Sequence, residues 1–117
     1  GELTQGENIA DLGGLTIGLE ALRENFEKNN INLNEKFVSG SNPQFSYKQL
    51  FFISWGQVWK MNIRKETRLT RLLTDPHSPE ELRICEPLKN MDDFIDCFEI
   101  KKGDKMFKDL NQRIKIW

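Results

Sequence analysis

With 117 residues, the chain is long enough for one domain or for one piece of a larger one. Its 17 basic and 18 acidic residues leave a formal net charge of -1, and no basic arm is present, so a nucleic-acid partner is not expected. The mean hydropathy is -0.60, no apolar run approaches the ~20 residues needed to span a bilayer, and no stretch reads as a signal peptide. Two cysteines, Cys85 and Cys97, are too few for a disulfide scaffold and lack zinc-ligand spacing, so both are expected to be small buried hydrophobes.

In chain order, an apolar stripe spaced three and four apart (Leu12, Leu15, Leu19, Leu22, Phe26) predicts a first helix from about Gln5 to Lys28, stopped at Asn29-Asn30. On that helix Glu7 and Asp11 stand one turn apart, and Gly14 and Gly18 fall on the same face. Mid-helix glycine costs about 1 kcal/mol against alanine. The face is therefore expected to meet a second helix or a ligand at short range. Two readings stay open at this point. One is a carboxylate pair at a metal site; the other is a packed helix with a glutamate favoured by the positive end of its dipole.

From Ile31 to Phe45 the periodicity lapses, and Gly40-Ser41-Asn42-Pro43 reads as a surface loop. Ser46 with Gln49 forms a capping box that opens a second helix, apolar on nearly every side (Leu50, Phe51, Phe52, Ile53, Trp55, Val58, Trp59) and so expected in the core. Arg64 to Leu73 is a basic amphipathic stretch whose apolar side carries Leu69, Leu72 and Leu73. Thr74-Asp75-Pro76-His77 is a turn, after which Ser78 is expected as N-cap with Pro79 as first helical residue and Glu80 and Glu81 in the first turn. Pro87 is expected to end that helix. Asn90 is expected to cap another, with Met91, Phe94, Ile95 and Phe98 on its buried side and Lys101-Lys102-Gly103 as its stop. Ile114, Ile116 and Trp117 suggest a tail that docks. With no convincing strand pair, the fold class is all-α.

A lone histidine in a turn is most often a surface residue. Here Asp75 can accept from one ring nitrogen of His77 and aim the other, while Arg83 sits on the helix that His77 introduces. A histidine and an arginine converging near a metal suit amide hydrolysis, where donors must meet charge developing on a tetrahedral oxygen.

The string Gly6-Glu7-Asn8-Ile9-Ala10-Asp11-Leu12-Gly13-Gly14 resembles the zinc-binding signature of the neprilysin and endothelin-converting-enzyme family of zinc metallopeptidases. Thr74-Asp75-Pro76-His77-Ser78-Pro79, followed by Leu82-Arg83, resembles that family's second C-terminal signature, and Gln57-Val58-Trp59 its segment lining the pocket after the cleavage point. Asn90, the Lys101-to-Met106 stretch and the terminal Trp117 are similar too, so the likeness runs from Gly6 to Trp117. It implies a gluzincin, with 1–117 the C-terminal portion of a thermolysin-like zincin catalytic domain, folded as a single compact helical piece. Glu7 would be the third protein ligand of one catalytic zinc ion and Asp11 would support the site. His77 would stabilise the oxyanion, Asp75 would orient it, and Arg83 would bind the substrate carbonyl after the scissile bond. Val58 and Trp59 would line an apolar pocket for the following residue.

The resemblance also implies what is missing. The two histidine ligands and the general-base glutamate belong to a His-Glu-x-x-His helix, and this chain has one histidine. The expected function is therefore that of a zinc metalloendopeptidase acting on oligopeptides, whose other half lies upstream in the same polypeptide. The fragment alone is expected to be inactive and to hold zinc weakly. The alternative is a non-catalytic helical interaction domain or pseudoenzyme segment. Where animal members carry cysteines, this chain has Lys60, Ile100 and Ile114, which suggests a bacterial member; a periplasmic, membrane-anchored or secreted location is implied. The Gly14 face and part of the leucine stripe, stripped of an upstream helix, are expected to drive homodimerisation.

Overall fold

The structure, a computed structural model, describes residues 4–39 and 44–116. Among the described residues five α-helices follow one another, α1 (Gln5–Lys28), α2 (Tyr47–Val58), α3 (Lys65–Thr74), α4 (Glu80–Lys89) and α5 (Asp92–Cys97), with a 3-10 turn at Leu110–Gln112 in the tail. No strand forms among the described residues; a single antiparallel bridge joins Lys36 to Ser46. The chain is all-α, as its patterning predicts. The loop expected at Gly40-Ser41-Asn42-Pro43 lies outside the described residues, as does Trp117.

Helix α1 ends where two asparagines allow it to. Asn30 adopts the left-handed conformation (φ 55°), which lets the Ile31 N–H reach the Phe26 carbonyl at 2.9 Å and the Asn30 N–H reach that of Glu27 at 3.0 Å. The start of α2 is equally closed. Ser46 Oγ accepts from the Gln49 N–H at 3.1 Å and the Gln49 side chain accepts from the Ser46 N–H at 2.9 Å. The next two orphan donors, on Tyr47 and Lys48, reach the carbonyls of Glu35 and Leu33 in the preceding loop. The irregular stretch before α2 is thus a partner for the helix start.

The core joins Leu12, Leu15 and Leu19 of α1, Phe52 of α2, Leu88 of α4, and Met91, Phe94 and Ile95 at and in α5. Of the leucine stripe expected to be left partly uncovered, Leu12, Leu15 and Leu19 are buried within the chain, where α4 packs against α1, while Leu22 is half-buried. The glycine face divides. Gly18 admits the Phe51 ring, which would lie 3.6 Å from an added Cβ, while Gly14 is exposed with nothing within 4 Å. Close approach therefore accounts for Gly18 and not for Gly14. Helix α2 is less buried than its composition suggests: Phe52 is its one buried residue and Val58 is 72% exposed. Leu69, Leu72 and Leu73 of α3 are also exposed, and the radius of gyration is 16.1 Å, against about 13 Å for a compact domain of this length. Cys85 and Cys97 are half-buried and free rather than buried. Burial pushes the Cys97 thiol up to about 12, so it stays protonated at neutral pH.

Four expected helix boundaries are corrected. Ser78 does not cap α4; its hydroxyl donates across to Asn8 Oδ1 at 2.8 Å, and Pro79, with ψ 144°, takes the N-cap position. Asn90 closes α4 instead of opening α5, donating from Nδ2 to the Glu86 carbonyl at 2.7 Å and accepting from Lys108 and the Ile114 N–H, which docks the tail. Helix α5 ends before Lys101-Lys102-Gly103, because Glu99 (φ 53°) supplies the left-handed residue and Ile100 N–H reaches the Ile95 carbonyl at 2.9 Å. Gly103 (φ 104°) serves the next turn.

Pro87 does not end α4, which continues to Lys89. Proline removes the N–H that would bond the carbonyl four residues back, here that of Arg83. The indole Nε1 of Trp55 takes that carbonyl at 3.1 Å, tying α2 to α4 beside the Arg83 side chain. A double-mutant cycle tests this exchange of donors. Trp55→Phe should cost about 1–3 kcal/mol through an orphaned carbonyl. In a Pro87→Ala background, where a backbone N–H is restored, the loss should be smaller by about 0.5–1.5 kcal/mol. Urea unfolding of the four proteins reads the coupling, and additive losses would refute it.

Candidate active site

The N-terminal half of α1 lies against the start of α4, so two segments some 70 residues apart face each other across one seam. Besides the leucine packing, polar side-chain contacts cross it at Asp11, Asn8 and Glu7. Arg83 donates from Nε to Asp11 Oδ2 and from Nη2 to Asp11 Oδ1, both at 2.7 Å, a two-pronged pair that is well buried (side chains 12% and 7% exposed). Ser78 bonds Asn8. Nε2 of His77 stands 3.3 Å from Glu7 Oε2, within ion-pair range. Periodicity explains why Glu7 and Asp11 share a side of α1. It does not explain why Asp11 meets Arg83, a pairing with no signal in the sequence.

The turn between α3 and α4 fixes the imidazole. Asp75 Oδ1 accepts the backbone N–H of His77 at 2.9 Å and lies 2.8 Å from the ring Nδ1. An ionised carboxylate is acceptor-only, so Nδ1 carries the proton in this contact and Nε2 is turned toward Glu7. The backbone N–H of His77 holds the Asp75 carboxyl well below the usual carboxylate range, with Arg71 and the His77 ring adding to the effect.

Above the seam, the Arg83 guanidinium carbon lies 3.8 Å from the centroid of the Trp59 ring, and Trp59 in turn meets Trp55 edge-on at 5.5 Å. The contact with Asp11 raises the Arg83 pKa from its ordinary value, so the group is a permanent cation. Two of its nitrogens serve Asp11, and Nη1 has no hydrogen bond among the described residues. Nε1 of Trp59 is buried without an acceptor among them. The structure thus brings together Glu7, Asp11, Asp75, His77, Arg83 and Trp59, while Val58, on the same helix end as Trp59, faces solvent. Sequence reasoning missed Asn8 and Ser78, which hold the two segments in register.

Glu7 has a half-exposed carboxylate, suited to one anionic ligand position. No group of three or more metal-ligating side chains forms among the described residues. The donor set fits a contribution of one ligand to a shared centre and not a complete zinc site.

The sequence model of Peptidase family M13 matches residues 1–114. The chain is 35% identical to the neutral endopeptidase of Lactococcus lactis subsp. cremoris over 117 residues, which is all of this chain and 16% of that protein. It is 34% identical to neprilysin-3 of Drosophila melanogaster, again over the whole chain and 14% of the relative. Among solved structures, the zinc metalloprotease Zmp1 of Mycobacterium tuberculosis in complex with inhibitor superposes with a TM-score of 0.85 at 35% identity, over 98% of this chain and 16% of that one. The chain belongs to peptidase family M13. It spans about a sixth of the length of these relatives.

The depressed Asp75 carboxyl has a consequence for stability. Its ionised form stabilises the fold, fully above about pH 4 where aspartates of the unfolded chain are ionised, and this contribution is lost as pH falls through the folded-state value. Urea titrations at several pH values should show the wild type more stable than Asp75→Asn at pH 7, with the gap closing as pH is lowered below about 4. A gap that does not change with pH would mean that charge plays no part.

Proposed function

We propose that this chain is the part of a zinc-dependent endopeptidase that supplies one metal ligand and the groups that meet the substrate carbonyl, the rest of the centre coming from a His-Glu-x-x-His helix elsewhere in the same polypeptide. The observation that carries this reading is the convergence of Glu7 with His77 and of Asp11 with Arg83 across the α1–α4 seam. Family membership and the likeness to proteins named as neutral endopeptidase and zinc metalloprotease support it.

Glu7 would hold zinc together with two histidines that this chain does not contain. When bound, the metal would polarise the scissile carbonyl and activate a water. His77, aimed by Asp75, would hold a proton at Nε2 and donate it as a hydrogen bond to the oxygen on which charge develops. Arg83, fixed by Asp11 below and Trp59 above, would offer its Nη1 group to the next substrate carbonyl. Holding two nitrogens in the Asp11 pair limits the rotation of the third, which lowers the entropic cost of orienting a peptide. Trp59 and Val58 would present apolar surface to the side chain following the cleaved bond. Oligopeptides are the substrate class this arrangement suits.

Two measurements test the reading. Equilibrium dialysis of the 117-residue chain with zinc should show no stoichiometric sub-micromolar binding, because one carboxylate is not a zinc site. Stoichiometric uptake at that level, or chelator-sensitive cleavage of a fluorogenic peptide by the chain alone, would overturn it. In the longer peptidase, His77→Ala should lower kcat about 100–1,000-fold with little change in KM, as for loss of one oxyanion donor. Arg83→Ala should also raise KM, since it contacts substrate before the chemical step. Small, equal losses in both variants would return His77 to an ordinary surface histidine.

A further inference from the structure

Arg71 belongs to none of the motifs that mark the site, yet it grips Asp75 from the side opposite His77. Its Nε donates to Asp75 Oδ2 at 2.9 Å, and the Asp75 N–H donates back to the Arg71 carbonyl at 2.9 Å. Asp75 Oδ1 is then left for His77 alone, which uses it twice, through the backbone N–H and through ring Nδ1. From the far edge of the same guanidinium, Nη1 bonds Glu80 Oε1 in the first turn of α4. One planar group therefore joins the last turn of α3, the turn carrying His77, and the first turn of α4.

The geometry matters because a carboxylate held at one oxygen only is loosely fixed. The terminal torsion of aspartate is broad and two-fold, so Oδ1 can swing and carry the imidazole plane with it. Pinning Oδ2 removes that freedom. The fork of an arginine can donate in two directions at once, toward Asp75 and toward Glu80, which a lysine ammonium does less rigidly. Partners of this kind, one bond behind the acting group, commonly change rate by about 10–100-fold when removed.

We propose that Arg71, braced by Glu80, is a positioning residue that fixes Asp75 and through it the ring of His77. This rests on the peptidase reading of His77 given above. Helix α3, which contributes no residue to the core, acquires a role on this account: its C-terminal turn carries the brace.

The test compares Arg71→Ala with Arg71→Lys and uses two readouts. His77 is the only histidine of the chain, so 15N labelling of histidine in the 117-residue protein gives one imidazole to follow. The Nδ1 proton should exchange with solvent about tenfold faster or more in Arg71→Ala, and Arg71→Lys, which keeps a donor for Oδ2, should recover most of the protection. In the longer peptidase, Arg71→Ala should lower kcat about tenfold with KM unchanged, again recovered in part by lysine. Unaltered ring exchange and kcat in Arg71→Ala would overturn the proposal. So would equal losses in both variants accompanied by reduced helicity in circular dichroism, since that pattern marks a purely structural arginine. The ring signal is read whether or not peptides are cleaved. An inactive wild type would therefore refute the peptidase reading, while the exchange data still decide whether Arg71 acts through Asp75.

Discussion

Arg83 and Asp11 lie 72 residues apart and meet through two hydrogen bonds of 2.7 Å on a seam where neither is more than slightly exposed. A buried guanidinium without its partner is expensive, about 3–5 kcal/mol for a broken pair. The pair therefore favours the register at which α1 and α4 close here. The register, in turn, brings Glu7 opposite His77 and Asn8 opposite Ser78. It also presents the stripe of Leu12, Leu15 and Leu19 to the α4 side of the core. Burial of these leucines supplies the driving force for closing the seam, and the ion pair selects where it closes.

The side chains proposed to act are each held at the end that is not needed for chemistry. Asp75 occupies His77 at Nδ1, leaving Nε2; Asp11 occupies Arg83 at Nε and Nη2, leaving Nη1. The Trp59 face limits the guanidinium on the open side, and the Trp55 indole fixes the backbone of the same residue through the carbonyl that Pro87 sets free. Pre-organisation of this kind is worth most where the groups must meet charge that appears only in a transition state.

The seam is well closed, while much else is open. Val58, Met61, Leu69, Leu72 and Leu73 keep more than half of their surface exposed, and the molecule is more extended than an isolated domain of its length. Apolar exposure on this scale is unusual for a free-standing domain. It accords with the small share of its relatives' length that the chain spans.

Local chemistry written in short stretches was legible in the sequence. The limits of α1, the Ser46–Gln49 capping box, the turn before α4 and the Asp75–His77 contact all depend on residues within a few positions of one another, where propensity and hydrogen-bonding reach decide the outcome. Glu7 and Asp11 were readable for the same reason, since helical spacing alone puts them on one side. What the sequence misdirected were boundaries at which a distant group intervened. Pro87 did not stop α4 because Trp55 took up the stranded carbonyl, Asn90 faced the tail instead of α5, and Ser78 bonded Asn8 instead of capping. Only the tertiary structure joined Asp11 to Arg83 and Arg71 to Asp75 and Glu80 as a brace. Such pairs form between side chains whose separation is set by how whole helices pack, and no local pattern encodes that distance.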